Sequence, residues 1–273
     1  MPAARVTFLG TGTSHGVPMI GCGCAVCRSA DARDRRLRPS ILIAVQDGPA
    51  VLVDTATDLR QQALTFGITR VDAVIFTHAH ADHVMGMDEL RRFNVMNGRR
   101  LPMYANARTA AEIRRIFSYA FAPPSVPGGG VPDLSLAEID GPFDVLGLRV
   151  EPVPVMHGPQ EILGFRVGRF AYLTDCNAIP DASLARLQGL DVLVLDALRR
   201  RPHPTHFSLD EAVAMAARLG ARQTYFTHIC HDLPHAATNA ALPATMALAY
   251  DGQVVDLDDV PWSAAGVPHE GRA

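Results

Sequence analysis

This chain of 273 residues contains no lysine; its 25 basic side chains are all arginine. The absence rules out a Schiff-base lysine, a phosphate-loop lysine and a pyridoxal enzyme anchored through lysine. A GC-rich genome, which favours arginine and alanine codons, accounts for it without any functional demand. Long apolar runs are missing too. No stretch approaches the ~18 residues that span a bilayer, so no membrane partner is expected. The early apolar run at 6–9 is only strand-length, too short for a secretion signal. Excess positive charge is also missing: the formal net charge is -3, which offers no broad basic field to nucleic acid. These absences point to the cytoplasm, where thiols stay reduced. The five cysteines then read as ligands or core residues rather than disulfides.

What is present is enough apolar material for a sizeable core, 48% of the chain. Short β-branched runs at 5–9, 40–45, 50–53, 73–76, 148–155, 164–167, 170–173, 192–195 and 223–226 predict strands. Helical patterns run over 58–66, 83–97, 109–121, 183–188 and 208–219. Gly67 is placed to cap the first helix, and Ser208 with Glu211 forms a capping box at the last. Strands joined both as hairpins and through helices imply a mixed α/β or α+β domain. One domain is expected over 1–262, followed by a small polar tail at 263–273. The Pro- and Gly-rich segment 123–130 reads as a loop.

The densest chemistry follows the strand at 71–76. His78, His80, Asp82 and His83 lie within six residues. Imidazole and carboxylate suit zinc, manganese or iron, and packing does not explain two ligand types at that density. One short segment cannot fill two coordination shells, so later strand ends must contribute. His157, Asp175 and His228 each follow a buried-looking strand. A second cluster, Cys22, Cys24 and Cys27, puts three thiols within six residues. In a reducing compartment that spacing suits a tetrahedral zinc with a fourth ligand from elsewhere, Cys230 or His231.

The pattern His-x-His-x-Asp-His, with later His, Asp and His at strand ends, resembles the metallo-β-lactamase superfamily over most of the chain, from Gly10 to His231. The resemblance implies a four-layer αββα sandwich, two mixed sheets between outer helices, with two catalytic divalent ions, zinc or manganese, at one edge. Carried over by position, His78, His80 and His157 would hold one ion. Asp82, His83 and His228 would hold the other, and Asp175 would bridge them. Asp54, after the strand 50–53, would orient a ligand from behind; it also reads as a local cap for the helix at 58–66. The loop 10–18 and the cysteine run resemble the branch that includes phosphoribosyl 1,2-cyclic phosphate phosphodiesterase. That branch implies one structural zinc on Cys22, Cys24, Cys27 and His231, with Cys230 a neighbour and Cys176 in the core.

The implied reaction is hydrolysis of a small-molecule phosphodiester by hydroxide held between the ions, with His206 as general acid and Asp82 as the second catalytic residue. His203 is a weaker candidate for the acid. His15 could touch substrate, and the arginines at 33–38 read as a solvated face before a phosphate cradle. A transfer-RNA 3′-end nuclease is the first alternative activity, although no long basic arm is present. A non-catalytic metal-binding module is the alternative of another class, opposed by the intact ligand set. A homodimer is compatible with all of these.

Overall fold

The computed structural model describes residues 3–122 and 130–264. The loop expected at 123–130 falls outside the described residues except for Gly130, and so does the tail beyond 264. The strands are β1 (Ala4–Gly10), β2 (Ser40–Val45), β3 (Ala50–Val53), β4 (Ala73–Ile75), β5 (Leu101–Ala105), β6 (Leu134–Glu138) and β7 (Phe143–Val145). They continue with β8 (Leu148–His157), β9 (Gln160–Val167), β10 (Phe170–Leu173), β11 (Val192–Asp196), β12 (Gln223–Thr227), β13 (Met246–Leu248) and β14 (Val254–Leu257). They form two seven-stranded sheets, ordered β14-β1-β2-β3-β4-β5-β6 and β13-β12-β11-β10-β9-β8-β7. Both are mixed. In the first, β14 to β3 are antiparallel and β3 to β6 parallel. In the second, β13 to β10 are parallel and β10 to β7 antiparallel.

The two sheets face each other across one apolar layer built from alternate residues of both. Val6, Phe8, Ile41 and Val51 come from the first sheet; Val150, Phe165, Tyr172 and Val194 come from the second. Each such aliphatic or aromatic side chain contributes ~1.5–3 kcal/mol on burial. Helices cover the outer faces. On the first sheet lie α1 (Leu59–Phe66), α2 (Ala81–Val84), α3 (Leu90–Asn97), α4 (Ala107–Ile116) and α5 (Ser118–Phe121); on the second lie α6 (Asp181–Arg186), α7 (Leu209–Leu219) and α8 (His235–Ala241). This is the four-layer αββα sandwich that the resemblance implies.

Two helices expected from the sequence differ. The pattern over 83–97 breaks into α2, a 3-10 turn (Met87–Glu89) and α3. The cause is Gly86, whose N–H donates to Thr55 O instead of to the helix ladder. A Cβ on Gly86 would stand 2.1 Å from Ala56 O, so this close approach needs glycine. The pattern over 109–121 ends at Ile116 and restarts as α5, with Phe117 non-helical between them. The capping box of Ser208 and Glu211 forms as expected at α7, and Gly67 closes α1 in a left-handed conformation.

Candidate metal centre

The carboxyl ends of β3, β4, β8, β10, β11 and β12 come to one edge of the sandwich, where loops leave the strands and backbone pairing ends. Three residues just past strand ends adopt left-handed backbone conformations: Asp54 (φ 62°), Asp175 (φ 56°) and His228 (φ 58°). Such conformations cost energy in non-glycine residues and cluster at functional sites. Here each turns the chain sharply as it leaves its strand.

Seven of the expected residues form two groups. One nitrogen each from His78, His80 and His157 lie within 4.8 Å of one another; so do one ligand atom each from Asp82, His83, Asp175 and His228. Asp175 stands between the groups. Its Oδ2 is 3.9 Å from His78 Nε2 and 3.2 Å from His228 Nε2, and its Oδ1 is 3.2 Å from His83 Nε2. All seven are buried except His80, which is exposed and marks the opening. Four buried ligand atoms, His78 Nε2, Asp82 Oδ2, His83 Nε2 and His228 Nε2, have no hydrogen-bond partner. Orphaned polar atoms cost about 1–3 kcal/mol each, and four of them in these two adjoining groups are what bound cations would satisfy.

The charges are already polarised. Burial alone would raise the carboxyl of Asp175, but His228 and His83 hold it well below the usual carboxylate range. Burial likewise opposes the ionised form of Asp82, and His83 and His228 override it. Burial drives His78 well below the ordinary histidine value. His83 is raised instead, because Asp175, Asp82 and Asp54 outweigh the burial that would lower it.

Asp54 lies behind the cluster, fully buried. His83 Nδ1 donates to its Oδ2 at 2.8 Å, and Thr77 donates from both its N–H (2.8 Å) and its hydroxyl (2.7 Å). This fixes the His83 ring with Nε2 toward the cluster. The other reading of Asp54, a cap for α1, is not observed: the residue at that helix start is Asp58. His157 is oriented in the same way, Nδ1 donating to Thr205 O at 2.9 Å.

His206 is buried against the cluster. Its ring packs on His157 at 4.7 Å between centroids and stacks on His228. Burial, then the charge of His228, lowers it to about 4. Its Nδ1 is 3.3 Å from Asp196 Oδ1, and His228 Nδ1 is 3.5 Å from the same oxygen. Sequence reasoning missed Asp196, although it ends the apolar run of β11 much as Asp54 and Asp175 follow theirs. That shared position was the signal that could have found it.

The cysteine loop meets the far end of the chain. Cys22, Cys24 and Cys27 Sγ lie 3.2, 3.7 and 3.5 Å from His231 Nδ1, so these four residues could hold an ion. Backbone donation from Cys27 N–H lowers the Cys24 thiol, while burial pushes Cys27 up to about 11. Cys230 stands aside, accepting from Asp232 N–H, and Cys176 is in the core.

His15 and His203 line a neighbouring cavity. The arginine run is not simply a solvated face: Arg36 is 1% exposed. Its guanidinium pairs with Asp34 and donates to the carbonyls of Cys230 and Leu233, tying the N-terminal loop to the segment that carries His231.

The family model described as the beta-lactamase superfamily domain matches residues 50–229. A solved diphosphatase of the PhnP family is 48% identical, with a TM-score of 0.87, covering 93% of this chain and 97% of that one. Zinc-bound PqqB from Methylobacterium extorquens shares the fold at 22% identity and a TM-score of 0.77, covering 93% of this chain and 100% of that one. An octanoyltransferase from Porphyromonas gingivalis is 39% identical over 259 residues, 93% of this chain. The chain spans only 52% of that protein's length.

Proposed function

The chain belongs to the beta-lactamase superfamily, and on that footing we propose that it is a metal-dependent hydrolase acting on phosphoric esters. The observation that carries this reading is the convergence of four unpartnered buried ligand atoms around Asp175. Their chemistry, imidazole and carboxylate, fits two divalent ions of the zinc or manganese type. His78, His80 and His157 would hold one ion, and Asp82, His83 and His228 the other, with Asp175 shared. Cys22, Cys24, Cys27 and His231 suit a single structural zinc. The diphosphatase at 48% identity supports a phosphorus substrate. Free thiols throughout fit a reducing compartment such as the cytoplasm.

Bound ions would supply Lewis acidity, activating water and neutralising phosphoryl charge. The protein's own residues do the rest. Asp82 remains an anion and accepts a hydrogen bond from the attacking water, aiming it at phosphorus. His206 donates a proton to the departing oxygen. In the free site its low pKa keeps it neutral. A phosphoryl anion against the ring would favour the protonated form. Asp196, whose Oδ1 lies 3.3 Å from His206 Nδ1, fixes the orientation of that ring.

The test is hydrolysis of bis(p-nitrophenyl) phosphate, a cyclic ribosyl phosphate and precursor transfer RNA with added manganese. Turnover of the small diesters, lost in Asp175→Ala, is expected. Failure on all three would end the hydrolase reading, and preference for the RNA would favour a nuclease.

A further inference from the structure

Three segments that carry the candidate chemistry meet beside the loop that follows β10. One is the turn between β8 and β9, which begins at His157. The second is the loop itself, with Asp175 near its start. The third is the arch over 197–208, between β11 and α7, which carries His206. The main chain of the loop bonds to both of its neighbours. Towards the turn, Met156 N–H donates to Ala178 O and Asn177 N–H to Met156 O, each at 2.9 Å. Towards the arch, Phe207 N–H donates to Cys176 O at 2.8 Å.

The half-buried Asn177 side chain repeats both links from the far side. Its Oδ1 accepts from Gly158 N–H at 2.8 Å, and its Nδ2 donates to Pro204 O at 3.1 Å. His157 is thus bracketed by bonds at Met156 and Gly158. His206 is bracketed by bonds at Pro204 and Phe207. All of these bonds end on residues 176–178. An amide suits this junction because Gly158 offers a donor and Pro204 an acceptor, and asparagine supplies one of each. The two partners also fix which end of the amide is oxygen and which nitrogen.

The turn and the arch touch directly as well. A Cβ on Gly158 would stand 2.8 Å from Thr205 Cγ2. Within the arch, Arg199 holds the carbonyls of Arg201 and Pro202. From outside it, among the described residues, two side chains hold the crown at 200–205. They are His157, through Thr205 O, and Asn177, through Pro204 O. The first is itself a candidate metal ligand, which leaves Asn177 as the tie with no other assigned role.

We propose that Asn177 is a positioning residue for proton delivery. It sets the place of the His206 ring relative to the His157 ring, 4.7 Å away between centroids. The inference rests on the hydrolase reading, which makes His206 the acid. A general acid works only within hydrogen-bond reach of the departing oxygen, and a misplacement of ~1 Å can cost as much as ~10²-fold in rate. Loss of the Asn177 amide frees the crown without removing a metal ligand or the acid.

Two variants test it. Asn177→Ala removes both links. Asn177→Asp keeps an acceptor for Gly158 N–H but sets a second oxygen against Pro204 O. In manganese-loaded protein, both should lose about tenfold in kcat on a dinucleotide, whose alkoxide leaves with a proton. On bis(p-nitrophenyl) phosphate, whose leaving group needs none, the loss should be less than about twofold. Gln188→Ala, which removes an amide contact to Leu184 O on α6, should change neither. The ring signals of isotopically labelled histidine in zinc-loaded protein read the arrangement without turnover. Those of His206 should shift or broaden in both Asn177 variants, and those of His235, on α8, should not. Equal losses on the two esters, no loss on the dinucleotide, or His206 signals unchanged in both variants would overturn the positioning role. If the wild type cleaves neither ester while the His206 signals still respond, the hydrolase reading fails and the hold of Asn177 on the arch stands.

Discussion

His206 and His228 stack face to face, their planes 9° apart, and both turn Nδ1 toward one oxygen of Asp196. The pairing couples the residue assigned to proton delivery to one assigned to metal binding, through a carboxyl that is 0% exposed. His206→Ala should therefore affect leaving groups unequally. With an alkoxide leaving group kcat should fall about 10²–10⁴-fold, the usual contribution of a general acid. With p-nitrophenolate, which departs without a proton, the loss should be far smaller. Parallel kinetics on a dinucleotide and a p-nitrophenyl ester decide the matter; equal losses would leave His206 without the acid role. Asp196→Asn should give a weaker version of the same pattern.

Asp54 acts one step behind the cluster, through His83. Asp54→Ala removes the acceptor of two Thr77 donors and of His83 Nδ1, all in the interior. Unpaired buried donors cost about 1–3 kcal/mol, so urea unfolding should register a loss of that size. Metal affinity should drop roughly 10–100-fold as the ring loses its orientation. Competition with a fluorescent chelator measures it, and unchanged affinity would show that His83 is held by packing alone.

The site was more legible in the sequence than the fold around it. His78 to His83 announce themselves by density, and His157, Asp175 and His228 by their place after apolar strands. Asp196 has the same placement, but with no imidazole beside it in the sequence it looks like an ordinary strand end. Its role becomes visible only when β11 pairs with β12, which brings His228 beside it, and the segment after β11 folds back to set His206 against it. Edge strands such as β7, β13 and β14 escaped because they are short and half exposed, leaving no clear alternation to read. The break at Gly86 escaped because its cause, contact with Ala56, is tertiary. Arg36 shows the opposite failure: a charge run that looked solvated contains a buried tie.

The cysteine loop should behave as a structural unit separate from the catalytic edge. Cys24→Ser is expected to lose about one zinc per chain and to lower the thermal midpoint by about 5 °C. The metals bound by the histidine and aspartate groups should remain. Elemental analysis with and without chelator wash separates the pools. Equal zinc in mutant and wild type would refute a zinc on these residues.

His235 supplies an acid-sensitive contact away from the catalytic groups. Asn239 Oδ1 accepts from Leu248 N–H at 2.7 Å, which fixes the amide so that its NH₂ donates to His235 Nε2 at 2.8 Å. A proton on Nε2 would set donor against donor. Burial, followed by repulsion from Arg33 and Arg36, lowers this histidine to about 4. A pKa below the unfolded value means the stabilisation is present above about pH 6.5 and is lost as pH falls toward 4. The contribution is on the order of 2 kcal/mol. Metal release also weakens the fold in acid, so the informative quantity is the difference between wild type and His235→Phe. The variant removes the titration, and the urea midpoints of the two proteins should converge between pH 6.5 and 4 as the wild type loses its advantage. A difference that stays constant over that range would show that His235 does not titrate there.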